Sequence, residues 1–194
     1  TQEEQQNALL VAKKEQKAEF NTLKRTLQKT QSQLVYLKQN EQVLKQTLEQ
    51  LSRDLAQSEV KLVGLQKRKG KLDWPSRGKL THRFGQKKHG SLKWKGVLMS
   101  GKEGAPVKTI ADGQVLFADW LKGFGWVIVV DHGKGFMSLY GHSQALLKDV
   151  GDKVKAGEQI ALVGQSGGQS NPSLYFEIRH KGRAVNPVKW CRRI

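Results

Sequence analysis

The first glycine in the chain is Gly64 and the first proline is Pro75, and through most of that stretch leucines recur at alternating spacings of three and four residues. Phe20, Leu23, Leu27, Leu34, Leu37, Leu44, Leu48, Leu51, Leu55, Leu62 and Leu65 fill nearly all the a and d sites of one heptad register. Thr30, Glu41 and Ser58 are its polar exceptions. The pattern predicts a coiled-coil helix over residues 1–70. It should stop at the basic run Lys67, Arg68 and Lys69, since cations suit a helix C-terminus and Gly70 suits the position just past it. At about 1.5 Å per residue the helix would span roughly 100 Å. That is too long to fold back on a small domain, so its stripe is expected to pair with another helix, either an upstream segment or a second copy.

Beyond Gly70 the pattern changes. Asp73-Trp74-Pro75 demands an extended entry, and short apolar runs then alternate with glycine-containing turns, which predicts an all-β domain over residues 71–194. The expected strands are residues 97–100, 107–111, 114–119, 126–132, 136–140, 159–164 and 173–179. A weak internal echo relates Gly104-Ala105-Pro106-Val107 and the strand after it to Gly151-Asp152-Lys153-Val154 and the strand after that. The fold class is therefore α and β in separate parts, a long helix followed by a β-domain.

The last of these strands concentrates the chemistry. In Ser173-Leu174-Tyr175-Phe176-Glu177-Ile178-Arg179 the apolar residues Leu174, Phe176 and Ile178 alternate with the other four. One set should enter the core, and the other should share the opposite, working face. The strand resembles the His-Leu-His-Phe-Glu-Val-Arg strand of lysostaphin/LytM-type zinc peptidases. Further segments fall in the order seen in LytM domains: Glu103-Gly104-Ala105-Pro106-Val107, Ala111-Asp112-Gly113-Gln114-Val115, Gly123-Phe124-Gly125-Trp126, Asp131-His132-Gly133-Lys134-Gly135, Leu139-Tyr140-Gly141-His142 and Val185-Asn186-Pro187.

The resemblance implies a duplicated hybrid-motif fold, and it also implies that the metal is lost. The family's His-x-Gly-x-Asp motif supplies two zinc ligands, whereas this chain reads Trp94-Lys95-Gly96-Val97-Leu98. The third ligand falls at Tyr175 and a catalytic histidine falls at Ser173, so that only His142 keeps its identity. A catalytic zinc needs about three protein ligands and an open position for water. None of the remaining histidines, His82, His89, His132 and His180, has ligand spacing, so no cofactor, no metal and no catalysis are expected. What is left is a groove lined by Lys95, Leu98, Phe124, Val127, Tyr140, His142, Ser173, Tyr175 and Arg179. Aromatic side chains beside cations have the composition of a protein-binding surface. Gly164-Gln165-Ser166-Gly167-Gly168 lacks the Lys-Ser/Thr of a phosphate cradle and is expected to be a flexible loop at the groove edge.

A coiled coil before a LytM domain without ligands resembles the EnvC type of murein hydrolase activator. The resemblance implies a periplasmic protein, recruited to the division septum, that binds zinc-dependent N-acetylmuramoyl-L-alanine amidases through the old cleft. It also implies docking of the coiled coil to an FtsEX-type division transporter. Little chain joins helix to domain, so any self-inhibition is expected to come from the helix itself or from sequence upstream. The alternatives are an active zinc endopeptidase with non-standard ligands and a basic wall-binding module.

The net charge of +17 fits an anionic partner, such as a cell-wall polymer like peptidoglycan, an acidic protein, a membrane surface or nucleic acid, and does not choose among them. It comprises 14 Lys and Arg against 8 Asp and Glu in residues 1–71, and 20 against 9 in residues 72–194. Nucleic acid is not expected, because the aromatics are accounted for by groove and core rather than a stacking platform. No run approaches the roughly 20 apolar residues of a transmembrane helix. The start at Thr1, without an initiating Met, suggests a processed product, and the lone Cys191 cannot form a disulfide within the chain.

Overall fold

A computed structural model describes residues 2–55 and 62–193. The chain divides into two units, residues 1–39 and residues 40–194. Helix α1 runs over Gln2–Leu55 without a break. In the first unit it is helical throughout its described length, and it leaves Phe20, Leu23 and Leu27 more than half exposed, a continuous apolar stripe on an otherwise polar rod. No helix among the described residues is long and apolar enough to cross a membrane.

The expected helix end near residue 68 needs correction, because α1 is described over Gln2–Leu55 and the chain is no longer helical when it is next described at residue 62. Ser58 lies outside the described residues. Leu62 is not helical, Gly64 has φ +75°, and residues 66–68 form only a single 3-10 turn. Leu65 continues the leucine spacing but is fully buried in the β-domain core, so the spacing recorded an apolar contact and not a longer helix. The extended entry at residues 72–75 is as expected. Leu72 bridges to Cys191, and the Trp74 indole N–H donates to the Arg192 carbonyl at 2.8 Å, which ties the start of the domain to its end.

The second unit is built on a ten-stranded antiparallel sheet. Its main path runs β1 (Leu80–His82), β4 (Val97–Ser100), β11 (Ser173–His180), β8 (Phe136–Leu146), β7 (Gly125–Gly133), β6 (Gly113–Leu121) and β9 (Lys153–Val154). Off this path β10 (Gln159–Val163) pairs with β8 and β5 (Pro106–Lys108), and β12 (Arg183–Val185) pairs with β11. The internal echo has a structural meaning here: β5 and β6 of the first copy pair crosswise with β10 and β9 of the second. Strands β2 (Lys87–His89) and β3 (Leu92–Lys93) form a separate hairpin. All seven expected strands are present. The five that sequence reading missed, β1, β2, β3, β9 and β12, have two or three residues each, too few for alternation to register.

The pleat sorts the apolar residues onto two faces. Val97, Met99, Ile128, Val130, Leu174, Phe176 and Ile178 pack into one core. Leu98, Val127, Val129, Met137, Leu139 and Tyr175 form a second cluster. The second cluster is closed by Leu44 and Leu48, with Leu51 packed beside them. Residues 40–51 of α1 therefore lie along the second face, and the expectation that the whole leucine stripe needs a second helix is corrected at this end.

Candidate functional site

The second face is the one onto which the strand β11 pattern places its non-core residues. Leu98, Phe124, Val127 and Tyr175 gather there as expected. Tyr175 pairs in register with Leu98 across β4 and β11 and with Gly141 across β11 and β8. Its ring lies 5.1 Å from Phe124, 6.2 Å from Trp94 and 6.2 Å from His142. Phe124 in turn stacks on His142 at 6.4 Å. This aromatic cluster is the floor of the groove.

His142 is held at an unusual backbone angle, φ +63°, by its N–H donating to Phe124 O at 2.7 Å. Its Nδ1 pairs with Ser166 O at 2.9 Å. Burial pushes the imidazole down to about 4, against the effect of that carbonyl, so it is neutral at pH 7. The loop carrying Ser166 is pinned, contrary to the flexible loop expected of residues 164–168. The Ser166 hydroxyl donates to Ser143 O and accepts from Trp126 N–H, and Gly167 packs against the Gly125 backbone.

Tyr140 is a correction. It is expected in the groove, but it is fully buried in the other core, and its hydroxyl accepts from Ser138 Oγ and Ile110 N–H. The positive φ at His142 breaks the pleat, and the β7–β8 register shifts opposite it, between Trp126 and Ile128. Parity cannot be carried across such a break. Ser173 lies at the edge of the face, in a small polar cavity of about 280 Å³ with Thr81, His82, Leu98 and Ser100. Lys95 is exposed.

Arg179 does not line open surface either. Its guanidinium donates to Glu177 Oε1 at 2.6 Å and to Gly182 O at 2.7 Å, while the Tyr175 hydroxyl donates to Glu177 Oε2 at 2.7 Å. Glu177 is completely buried. Burial pushes its carboxyl up, and Arg179 and Tyr175 act the other way. The Tyr175 phenol is pushed well above its ordinary value, first by burial and then by Glu177. The ladder Tyr175–Glu177–Arg179 is thus a satisfied buried network that fixes the floor.

Trp94, Leu98 and Tyr175, the positions at which the LytM resemblance puts zinc ligands, do come together in this cluster. Their donor chemistry does not fit zinc. An indole and an alkyl chain carry no lone pair for the metal, and the phenol keeps its proton and donates a hydrogen bond to Glu177. Among the described residues no three His, Cys, Asp or Glu side chains converge on a metal position. A cation of another kind is present: the Lys88 ammonium, delivered by the β2–β3 hairpin, lies 4.8 Å from the Trp94 ring centre and 5.8 Å from that of Phe124. His82 stacks on the same indole at 4.6 Å.

Sequence reasoning placed Glu177 on this face but not its partners, missed Lys88, and allowed the cover only as self-inhibition by the helix. Leu44 and Leu48 are 4% and 2% exposed because they are packed into the cluster that also holds Phe124, Tyr175 and Leu98. Asn40 is buried against Gly123, where an added Cβ would lie 2.2 Å from its amide nitrogen. A signal was available. Glu41 interrupts the heptad stripe, and that is the turn where the stripe meets the groove.

The sequence profile of peptidase family M23 matches residues 92–187. The chain is 56% identical over 130 residues to a protein of Escherichia coli named murein hydrolase activator EnvC, covering 67% of this chain and 31% of that protein. It is 38% identical over 118 residues to murein hydrolase activator NlpD of Salmonella dublin, covering 60% of this chain and 30% of that protein. The chain thus spans about a third of the length of these curated relatives. Among solved structures, a zinc-containing peptidase from Vibrio cholerae superimposes with TM-score 0.58 at 28% identity, over 61% of this chain and 39% of that one. The catalytic domain of lysostaphin from Staphylococcus simulans gives TM-score 0.53 at 29% identity, over 57% of this chain and 89% of that one.

Proposed function

We propose that this chain, whose residues 92–187 form a peptidase family M23 domain of the EnvC type, activates a murein hydrolase and does not itself cut peptidoglycan. One observation carries the reading. Where a metal would need nitrogen and carboxylate donors, the cleft offers a close-packed surface of Leu98, Phe124, Val127 and Tyr175, and that surface already accepts the apolar stripe of a helix. A face that binds one amphipathic helix is suited to bind another, as in helix-in-groove recognition.

The partners fitting this surface are the zinc-dependent N-acetylmuramoyl-L-alanine amidases, acting in the periplasm at the division septum. The names of the EnvC and NlpD relatives support a hydrolase partner. The exposed stripe of Phe20, Leu23 and Leu27 is the candidate dock for an FtsEX-type transporter or a second helix. An activator must bind its partner's active state better than the blocked one. Here the same groove is also occupied by residues 40–51, so the partner competes with the chain's own helix. Activation then requires opening, and a pull on α1 is the natural way to supply it.

The test is release of dye from labelled peptidoglycan by an amidase, with and without this chain carrying Tyr175→Ala. Loss of activation by a folded variant is expected, since the alanine removes the ring on which the groove floor is built. Full activation by the folded variant would remove the groove from the mechanism.

A further inference from the structure

The groove holds a charge that nothing in the LytM resemblance supplies. Lys88 stands on the short β2–β3 hairpin, and its ammonium caps the rings of Trp94 and Phe124, the residues forming one end of the apolar floor. Cation–π contact of this kind holds the cation in place but does not neutralise it. No neutralising group comes from nearby sequence either. Between Asp73 and Glu103 there are eight lysines and arginines and no acidic residue.

Among the described residues no carboxylate forms a salt bridge with Lys88, and two on other elements act on it through the field. Glu177 on β11 is already engaged by Tyr175 and Arg179. Glu41 belongs to the covering helix. It is half-buried, follows Asn40, which is packed on Gly123 beside Phe124, and precedes Leu44, which touches the same floor by one turn. Burial lowers the affinity of the Lys88 amine for its proton, and Glu41 is the larger of the two carboxylates that restore it, ahead of Glu177. When the helix leaves, the ammonium faces two aromatic rings with the stronger of its two carboxylates gone.

We propose that Lys88 is the specificity-determining cation of this groove, selecting an occupant that presents a carboxylate one turn ahead of its first apolar anchor. In the closed chain the occupant is the segment Glu41-x-x-Leu44-x-x-x-Leu48. The partner helix that displaces it carries an acidic side chain in the same register, followed by apolar residues three and seven positions later. This second half rests on the activator reading above; the first half does not. Lys88 acts by electrostatic selection, so the apolar contacts supply affinity and the attraction between its charge and the occupant's carboxylate supplies register and choice of partner.

The experiment is a charge-reversal cycle on the whole chain, read by hydrogen exchange of the amides of residues 42–51. Glu41→Lys and Lys88→Glu are each expected to speed exchange about fivefold at low salt, and the double swap to return it close to the parent. The single-variant effect should shrink in 0.5 M NaCl, which a loss of packing would not do. Because Lys88→Glu faces Glu177 and could disturb the hairpin, Lys88→Met serves as a second cycle. It keeps the stem over the rings, and in its background Glu41→Gln should have no further effect. Exchange unchanged in the single variants, or a double swap no slower than either single, overturns the proposal. Since no amidase is present, that failure leaves the activator reading standing, and loss of the activator reading leaves this cycle intact.

Discussion

Replacing Leu44 and Leu48 together by alanine should open the groove without unfolding the domain. Both side chains are almost fully buried, yet they belong to the cluster on the outer face and not to the core between the strands. Each substitution removes three carbons from an apolar contact, a loss of about 2 kcal/mol at roughly 0.8 kcal/mol per methylene. The vacated volume opens to water as the helix lifts, so no cavity term is added as it would be in a sealed core. Together the pair should cost the closed state about 4 kcal/mol, roughly a thousandfold in the ratio of closed to open. Hydrogen exchange followed by mass spectrometry reads this directly. Amides of residues 40–51 should exchange orders of magnitude faster, while those of β7, β8 and β11 keep their protection and the melting transition of the β-domain stays in place. Unchanged exchange in residues 40–51 would show that the leucine contacts do not hold the helix, and would refute the reasoning.

Three more outcomes follow from the same contacts. Gly123→Ala forces a side chain into the space of the Asn40 amide at a backbone with φ +81°, so the same exchange measurement should show an opened helix with a cost of about 1–2 kcal/mol. Arg179→Ala leaves the buried Glu177 carboxylate with only the Tyr175 hydroxyl, and urea unfolding should show a loss of about 3 kcal/mol near neutral pH. The Glu177 carboxyl is already raised in the fold, so its contribution falls as pH rises from the ordinary glutamate value of 4.5 through the folded one. The variant raises it further, and its deficit should be smaller at pH 5 than at pH 8. For His132 and His142 the sign is opposite. Burial holds both near 4, so the unfolded chain takes up protons first, and stability should be lost as pH falls from 6.5 toward 4, by about 3 kcal/mol for each histidine.

Much of this was legible in the chain. The β11 alternation sorted Leu174, Phe176 and Ile178 from Tyr175, Glu177 and Arg179 correctly, because an antiparallel strand covered on both faces keeps strict parity. Tyr140, also expected in the groove, lies in the other core, since the left-handed residue His142 resets the pleat and no residue type announces it. The helical spacing of Leu44 and Leu48 was read correctly as a buried stripe, whereas Leu65, read as its continuation, lies past the helix and is buried in the other core. What buries the stripe was not legible, because a sheet face and a second helix ask for the same apolar period. Lys88 could not be found at all from its neighbourhood. A Lys-Lys pair in a basic hairpin reads as solvated surface until the fold turns one ammonium onto Trp94 and Phe124.

The central claim is that this molecule works through another protein's catalyst, and one assay bears on it most directly. Labelled peptidoglycan is given the Leu44→Ala, Leu48→Ala chain alone, a purified zinc-dependent amidase alone, and the two together. The account predicts no dye release by the chain, a low basal release by the amidase, and strong release by the mixture, above that obtained with the unmodified, closed chain. Release by the opened chain in the absence of amidase would contradict it.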